Sequence, residues 1–388
     1  MSTDPSVTPG SVPVSLIDCF GTMPDPRLDR TRCHKLIDIL VIGFCATLAG
    51  GEGFSDMEQF GLSKEAWFRG FLELPNGIPS HDTFNRVFQA LDPAAFGERF
   101  VRWTQGLRAA VSGEIVAIDG KALRRALGKG KGDALPYVVS AWASDNGLVL
   151  GQMKVDEKSN EITAIPQLLR ALELKGCIVT IDAMGCQRKI AREIVDADAD
   201  YVLALKGNQE TVHDEVRSYM DDAIARWQEN PGSDQELGHC ETVEKDHGRI
   251  ETRRFWQSCD TGWFADRSKW EGLKSFGAVE SVREVAGAVT IERRYFLLSL
   301  GRGVWTFARA ARLHWGIENK VHWLLDVTFR EDQSRARHGH AAQNLATLRR
   351  LALNAAKREN TKLSTRLKVK KAGWSNDYLL ALLGIDPA

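Results

Sequence analysis

The sequence predicts an α/β fold: a mixed sheet flanked by helices, preceded by a helical domain and interrupted by a β-rich insertion. Two β-branched runs, Ile115-Val116-Ala117-Ile118 and Ile178-Val179-Thr180-Ile181, read as buried central strands, and each closes on an acid, Asp119 and Asp182. Between them, Tyr137 to Ala143 and Leu148 to Val155 form a hairpin around Asp145-Asn146-Gly147, a turn-forming triplet. Ile162 to Leu174 is an amphipathic helix with Ile165, Leu168, Leu169 and Leu172 on one face. A helix near Arg188 to Val195 and a strand from Tyr201 to Leu205 follow. The order is strand, hairpin strands, helix, strand, helix, strand, as in ribonuclease-H-like folds.

Around this unit the pattern changes. Residues 1–13, rich in Ser, Thr and Pro, read as a flexible tail, and 14–105 as a helical domain. Within it, an apolar helix covers Leu36 to Leu48, Gly50, Gly51 and Gly53 break it, and another helix runs through Met57 and Phe60. Pro79-Ser80-His81-Asp82-Thr83-Phe84 is a helix start: Ser80 caps and Asp82 sits in the first turn. Behind it Phe84, Val87, Phe88 and Leu91 share one apolar face. Short helices joined by tight turns suit either a helix-turn-helix DNA reader or a helical cap on the next domain. The mixed α/β domain spans 112–350, with strand-like pieces and several Trp at about 235–300. A basic helical tail is expected at 351–388, and residues 335–371 hold eleven Lys or Arg against one acid, Glu359.

Composition excludes more than it selects. Lys plus Arg equal Asp plus Glu at 51 each, so net charge names no partner. Seven scattered cysteines without a Cys-x-x-Cys pair argue against a disulfide framework or a zinc site and suit a reducing cytoplasm. The longest apolar stretch, Leu36 to Ala49, carries Asp38 and is shorter than the ~20 residues of a membrane span. A soluble, cytoplasmic protein is expected.

Asp119 and Asp182 close neighbouring strands, and Glu318 lies in the helical His314-Trp315-Gly316-Ile317-Glu318-Asn319. Three such acids suit a pair of Mg2+ (or Mn2+) ions, which prefer hard oxygen ligands and, ~3.5–4 Å apart, activate attacking and leaving oxygens in phosphoryl transfer. Singly, each acid has a plainer use: a strand-terminal Asp caps turns, and a helical Glu is solvated.

Here the chain resembles the ISAs-type, H-repeat-associated insertion-sequence transposases of the DDE superfamily. The residues that carry the resemblance are Asp119-Gly120-Lys121, Lys158-Ser159-Asn160-Glu161-Ile162, Ile181-Asp182-Ala183, Leu205-Lys206-Gly207-Asn208-Gln209 and His247-Gly248-Arg249-Ile250-Glu251. To these add His314 to Glu318, continuing as His322-Trp323-Leu324-Leu325-Asp326-Val327, and the amino-terminal Pro24-Asp25-Pro26-Arg27 and Ile78 to Phe84. The resemblance implies a ribonuclease-H-like core, cleavage of insertion-sequence ends and strand transfer into target double-stranded DNA, and a homo-oligomer on that DNA. Its acidic triad, which is also its metal-ligand set, falls on Asp119, Asp182 and Glu318. A non-catalytic DNA-binding remnant and a nuclease that does not join strands are the competing functions. Related transposases carry Tyr-x-x-Arg-x-x-x-Glu-x6-Lys; here the Tyr, Arg and Lys positions are Ala311, His314 and Leu325, with Arg312 and Lys320 as substitutes.

DNA contacts are expected from Lys121, Arg124, Arg125, Lys206, Asn208, Arg312, His314 and Lys320. Lys121, Arg124, Arg125, Lys129 and Lys131 form a run without an acid, suited to neutralising phosphates or simply to an exposed basic loop. The same two uses are open to Arg349, Arg350, Lys357, Arg358, Lys362, Arg366, Lys368, Lys370 and Lys371. Asn208 and Lys206 touch DNA or fix the loop beside the site. Glu161 is either a helix-start acid or a fourth acid near the metals. Trp256, Trp263 and Trp270 are either core or a platform for a flipped base.

Overall fold

The computed structural model describes residues 15–126, 135–155, 161–232, 234–246, 249–285 and 288–385. The tail at 1–13, Lys129, Lys131, Lys158-Ser159-Asn160, His247 and Gly248 lie outside the described residues. The chain opens with α1 (Leu16–Phe20), α2 (Leu36–Leu48), α3 (Phe54–Ser63), α4 (Glu65–Phe68), α5 (His81–Ala90) and α6 (Pro93–Leu107). As expected, α2 is apolar on nearly every side because it is buried on nearly every side. The Ser80 hydroxyl caps α5, and Phe84, Val87, Phe88 and Leu91 are fully buried.

The α/β part begins with β1 (Ile115–Ala122), β2 (Tyr137–Ala143) and β3 (Leu148–Val155), then α7 (Glu161–Ala171), β4 (Ile178–Ile181), α8 (Arg188–Asp196), β5 (Asp200–Leu205) and α9 (Glu210–Glu229). Four long strands follow: β6 (Leu237–Asp246), β7 (Arg249–Ser258), β8 (Ser275–Val285) and β9 (Ala288–Leu298). The chain ends in α10 (Val304–His314), α11 (Trp323–Val327), α12 (Ala341–Arg358), α13 (Thr365–Trp374) and α14 (Asn376–Leu383).

Among the described residues nine strands form one sheet in the order β3-β2-β1-β4-β5-β9-β8-β7-β6. β1 pairs antiparallel with β2 and parallel with β4, and β4 pairs parallel with β5, giving the mixed, ribonuclease-H-like arrangement. The β-rich stretch at 235–300 is present, but it does not stack as a layer of its own. Its strands extend the central sheet, because β9 joins β5 antiparallel through Val202↔Leu298 to Leu205↔Tyr295.

Alternation along β1 sorts the two faces. Val116 and Ile118 point into a core with Ile165 of α7, Ile190 of α8 and Val216 of α9. Ala117 points the other way, into a core with Trp142, α12 and the amino-terminal helices. The amino-terminal helices therefore share a core with the sheet, as a cap does: Asn344 of α12 donates to the carbonyls of Phe88 in α5 and of Leu91 just after it, at 2.9 Å each. α12 runs unbroken from Ala341 to Arg358, across the expected boundary at 350. Its basic residues are not all surface charges: Arg349 and Arg350 are buried, as is Lys368 of α13, so those three are not free to meet DNA. Trp256 and Trp270 are core, and Trp263 stacks on Tyr219 with ring centroids 4.4 Å apart. No helix among the described residues is long and apolar enough to cross a membrane.

The segment between α10 and α11 meets β2 at Gly316, where a Cβ would stand 2.5 and 2.7 Å from Trp142 ring carbons. Gly316→Ala is therefore expected to lower the urea midpoint at unchanged slope, by about 1–3 kcal/mol of overpacking. An unaltered midpoint would show that the helix and ring separate without cost.

Candidate active site

β1 and β4 run parallel with Ile118 opposite Ile181, so the next residue on each strand, Asp119 and Asp182, emerges at the same end of adjacent strands. Neighbouring strands lie about 4.8 Å apart. Apolar, β-branched residues thus set the spacing of two carboxylates. Asp182 also serves in the plainer way considered above: its Oδ1 accepts from the Met184 N–H at 3.1 Å and caps a 3-10 turn.

Glu318 arrives from the opposite side. The sequence suggested an ordinary helix here, but Glu318–His322 is a turn of π-helix between α10 and α11. Such turns are rare and collect at functional sites. The wider turn sets Glu318, Asn319, His322 and Trp323 on the wall of one cavity of 610 Å³, which Asp119 and Asp182 also line. All three expected acids meet there.

Burial pushes the Asp119 carboxyl up to about 7; the charges of Asp182, Glu161 and Glu318 push the same way, against the Gly120 N–H. Glu161 is raised as well, first by burial, with a hydrogen bond from the Tyr137 hydroxyl opposing and Asp182 adding to the rise. The close approach of Glu161 depends on Gly120: a Cβ there would meet the Tyr137 ring at 2.2 Å and a Glu161 oxygen at 2.6 Å. Glu161 therefore does more than start a helix. It stands beside Asp119.

Two histidines border these acids, and both are neutral near pH 7. Burial pushes His314 down to about 4, and its Nδ1 shares a 3.0 Å hydrogen bond with the Thr180 hydroxyl of β4. Burial pushes His322 down to about 3, with Arg350 adding to the effect. Its Nδ1 stands 3.6 Å from Asp119 Oδ2, too long for a hydrogen bond.

The expected DNA contacts separate into two groups. Arg124 and Lys206 are exposed and line the cavity. Arg125 is exposed beside them, and Lys320 is exposed with its ammonium 5.5 Å from the Trp142 ring centroid. Arg124 Nε also stands 3.4 Å from Asp332, and the other four have internal partners too. Lys121 is buried, with Nζ 2.8 Å from Asp326 and 2.8 Å from Asp332. Arg312 bonds Glu244 of β6 at 2.9 and 3.1 Å, tying the β extension to α10. His314 is occupied by Thr180, and Asn208 donates to the Ala183 carbonyl at 2.6 Å, which fixes the loop after Asp182. Lys121 and His314 therefore have their polar atoms paired or buried, and Arg312 is exposed but paired with Glu244.

Several wall residues had no motif to announce them. Arg294 reaches the cavity from β9, with its guanidinium carbon 5.0 Å from the centre of the Trp315 ring. Trp315 and Trp323 are largely exposed at the cavity wall, one turn to either side of Glu318. Exposed Trp beside a helical Glu was the only available sign.

The donor set suits a hard divalent cation: carboxylates meet at the strand ends, and the charges of Asp182, Glu161 and Glu318 add to the raised proton affinity of Asp119. Among the described residues no three His, Cys, Asp or Glu side chains are already drawn into a metal-holding cage. Mg2+ needs none, because it keeps several waters and takes few ligands from protein.

The family described as Transposase DDE domain matches residues 112–355, and the one described as DDE_Tnp_1-associated matches residues 17–104. The chain belongs to the DDE transposase family. A protein of Escherichia coli O157:H7 named "Putative transposase YncI" is 39% identical over 95% of this chain and 94% of its own length. The "H repeat-associated putative transposase YhhI" of Escherichia coli K12 is 36% identical over 95% and 97%. Among solved structures, a piggyBac transposase synaptic complex with hairpin DNA covers 96% of this chain and 77% of its own, at 10% identity and a TM-score of 0.40.

The raised Asp119 gives a signed prediction. A carboxyl at about 7 in the folded chain and 3.8 ordinarily destabilises the fold progressively as pH rises from about 4 to 7. In EDTA, Asp119→Asn is expected to be more stable than the parent at pH 8, by on the order of 1–3 kcal/mol after allowance for partial exposure. The gap closes toward pH 4. Urea melts across this range check it, and a gap independent of pH contradicts it.

Proposed function

We propose that this protein cleaves the ends of an insertion sequence and transfers the freed strands into target double-stranded DNA, with Asp119, Asp182 and Glu318 as its catalytic carboxylates. The observation that carries the proposal is the meeting of these acids on one cavity wall, two of them at the ends of in-register parallel strands. Bound Mg2+ or Mn2+ would activate the attacking oxygen and stabilise the leaving one. Asp119 and Asp182 would hold that charge from the sheet side, and Glu318 from the helix side.

The remaining groups fit a polyanionic substrate. Exposed Arg124 and Lys206 line the cavity and would take phosphates, giving affinity without base choice. Neutral His314 holds the Glu318 segment to β4 through Thr180 and takes no proton near pH 7. Trp315 and Trp323 supply apolar walls that limit water beside the acids. Pairing two element ends calls for at least two copies of the chain on DNA.

The test uses purified protein, Mg2+ or Mn2+, and DNA carrying the sequence that flanks the gene. Joined products support the proposal, nicks alone indicate a nuclease, and retention without cutting indicates a binding protein. Asp119→Asn, Asp182→Asn and Glu318→Gln are each expected to slow cleavage on the order of 1000-fold or more while DNA binding persists. Cleavage that survives Asp119→Asn removes the active-site assignment. Arg124→Ala and Lys206→Ala are each expected to weaken binding to all sequences alike and to lower the slope of log affinity against log salt by about 1. Unchanged slopes would place the phosphates elsewhere.

A further inference from the structure

We infer that Lys121 is a positioning residue, a latch that fixes the Glu318-bearing segment against β1, and not a contact to DNA. The inference rests on the active-site reading above and assigns a role to a charge cluster at the edge of the same cavity, which Lys121 and Asp326 also line. Lys121 follows Asp119 by two residues on β1, so both side chains leave the same face of the strand. That face looks toward the π-helical turn and α12.

The Lys121 ammonium stands 2.8 Å from Asp326, at the end of α11, and 2.8 Å from Asp332, in the turn that follows. Glu331 is 3.6 Å away. One ammonium therefore grips the chain at two points after it leaves Glu318. Glu331 also accepts from Arg350 of α12 at 2.9 Å, and both of those side chains are fully buried. Arg350 Nε in turn donates to the Ser140 hydroxyl at 3.1 Å, and Ser140 is the register partner of Asp119 on β2. The connections close a ring: β1, the 326–332 segment, α12, β2 and back to β1 at Asp119.

Charge and burial explain why Lys121 stays in this ring. The buried ammonium is balanced by Asp326 and Asp332 at 2.8 Å and by Glu331 at 3.6 Å. Turning Lys121 toward a phosphate would leave buried Glu331 with only the arginines Arg350 and Arg349 to offset its charge. Stability does not explain the cluster, since buried ion pairs contribute little net and apolar side chains of equal volume often serve better. What the ring provides is geometry. It sets the distance between a helix and a strand that each carry a site carboxylate, where a displacement of about 1 Å can cost on the order of 100-fold in rate.

The test compares Lys121→Met, Asp326→Asn and Asp119→Asn with the full-length parent, by hydrogen exchange and by cleavage of element-end DNA. In Lys121→Met, amides of residues 318–327 are expected to exchange at least about tenfold faster while those of β4 keep their protection. The cleavage kcat is expected to fall about 100-fold, with KM and the salt slope of DNA binding within about twofold of the parent. Asp326 is partly exposed and an amide there still accepts from Lys121, so Asp326→Asn keeps the fold and shows the same pattern at about tenfold or less. Parental exchange across 318–327 overturns the latch. So does faster exchange with parental kcat, which would leave only a structural role, or a loss confined to KM and salt slope, which would mean a phosphate contact. Cleavage by Asp119→Asn would instead remove the active-site reading, and the exchange data would still judge the latch.

Discussion

Carboxylates repel one another, and the repulsion sharpens as water is excluded from around them. Four of them, Asp119, Asp182, Glu161 and Glu318, stand within electrostatic reach at one end of the sheet. The hydrophobic effect holds them there. Ile115 to Ile118 and Ile178 to Ile181 pair in register inside the core, and that burial drives the first two acids together whatever their charges prefer. The raised proton affinity of Asp119 is the trace of that conflict. Under the proposed function, divalent cations would resolve it.

Beside the acids lies a second, balanced cluster, part of which lines the same cavity. Lys121, Arg349 and Arg350 face Asp326, Glu331 and Asp332 in and around the same small volume. Although burial alone would raise it, Glu331 is held below the usual carboxylate range by Arg350, Lys121 and Arg349. One group of charges is unbalanced; the other is compensated. Gly120 and Gly316 allow close approach, one admitting Tyr137 and Glu161, the other admitting the Trp142 ring.

The strands that deliver Asp119 and Asp182 were legible because buried central strands are continuously apolar, and an acid closing such a run stands out. The hairpin at Asp145-Asn146-Gly147 was legible from turn chemistry, with Gly147 at φ 68°. Glu318 could be named from its resemblance and apolar flanks, but the π turn that orients it has no sequence signature. Ionic partners were the blind spot. Lys121 read as one cation in a basic run because its carboxylates lie more than two hundred residues onward. Arg349 and Arg350 read as surface charge, although they sit between Leu348 and Leu351 in a helix whose buried residues span every side. A pair of Arg inside an apolar stretch was the available signal. The joining of β9 to β5 was likewise hidden, since strand partners across an insertion depend on tertiary packing.

Whether Asp119, Asp182 and Glu318 share cations can be measured without any DNA chemistry. Calorimetric titration of Mn2+ into the parent chain and into Asp119→Asn, Asp182→Asn and Glu318→Gln tests it directly. The account predicts saturable binding by the parent, weakened at least about tenfold by each substitution. Parental affinity in Glu318→Gln would mean that the helix acid stands apart from the strand acids, and the shared site would be refuted.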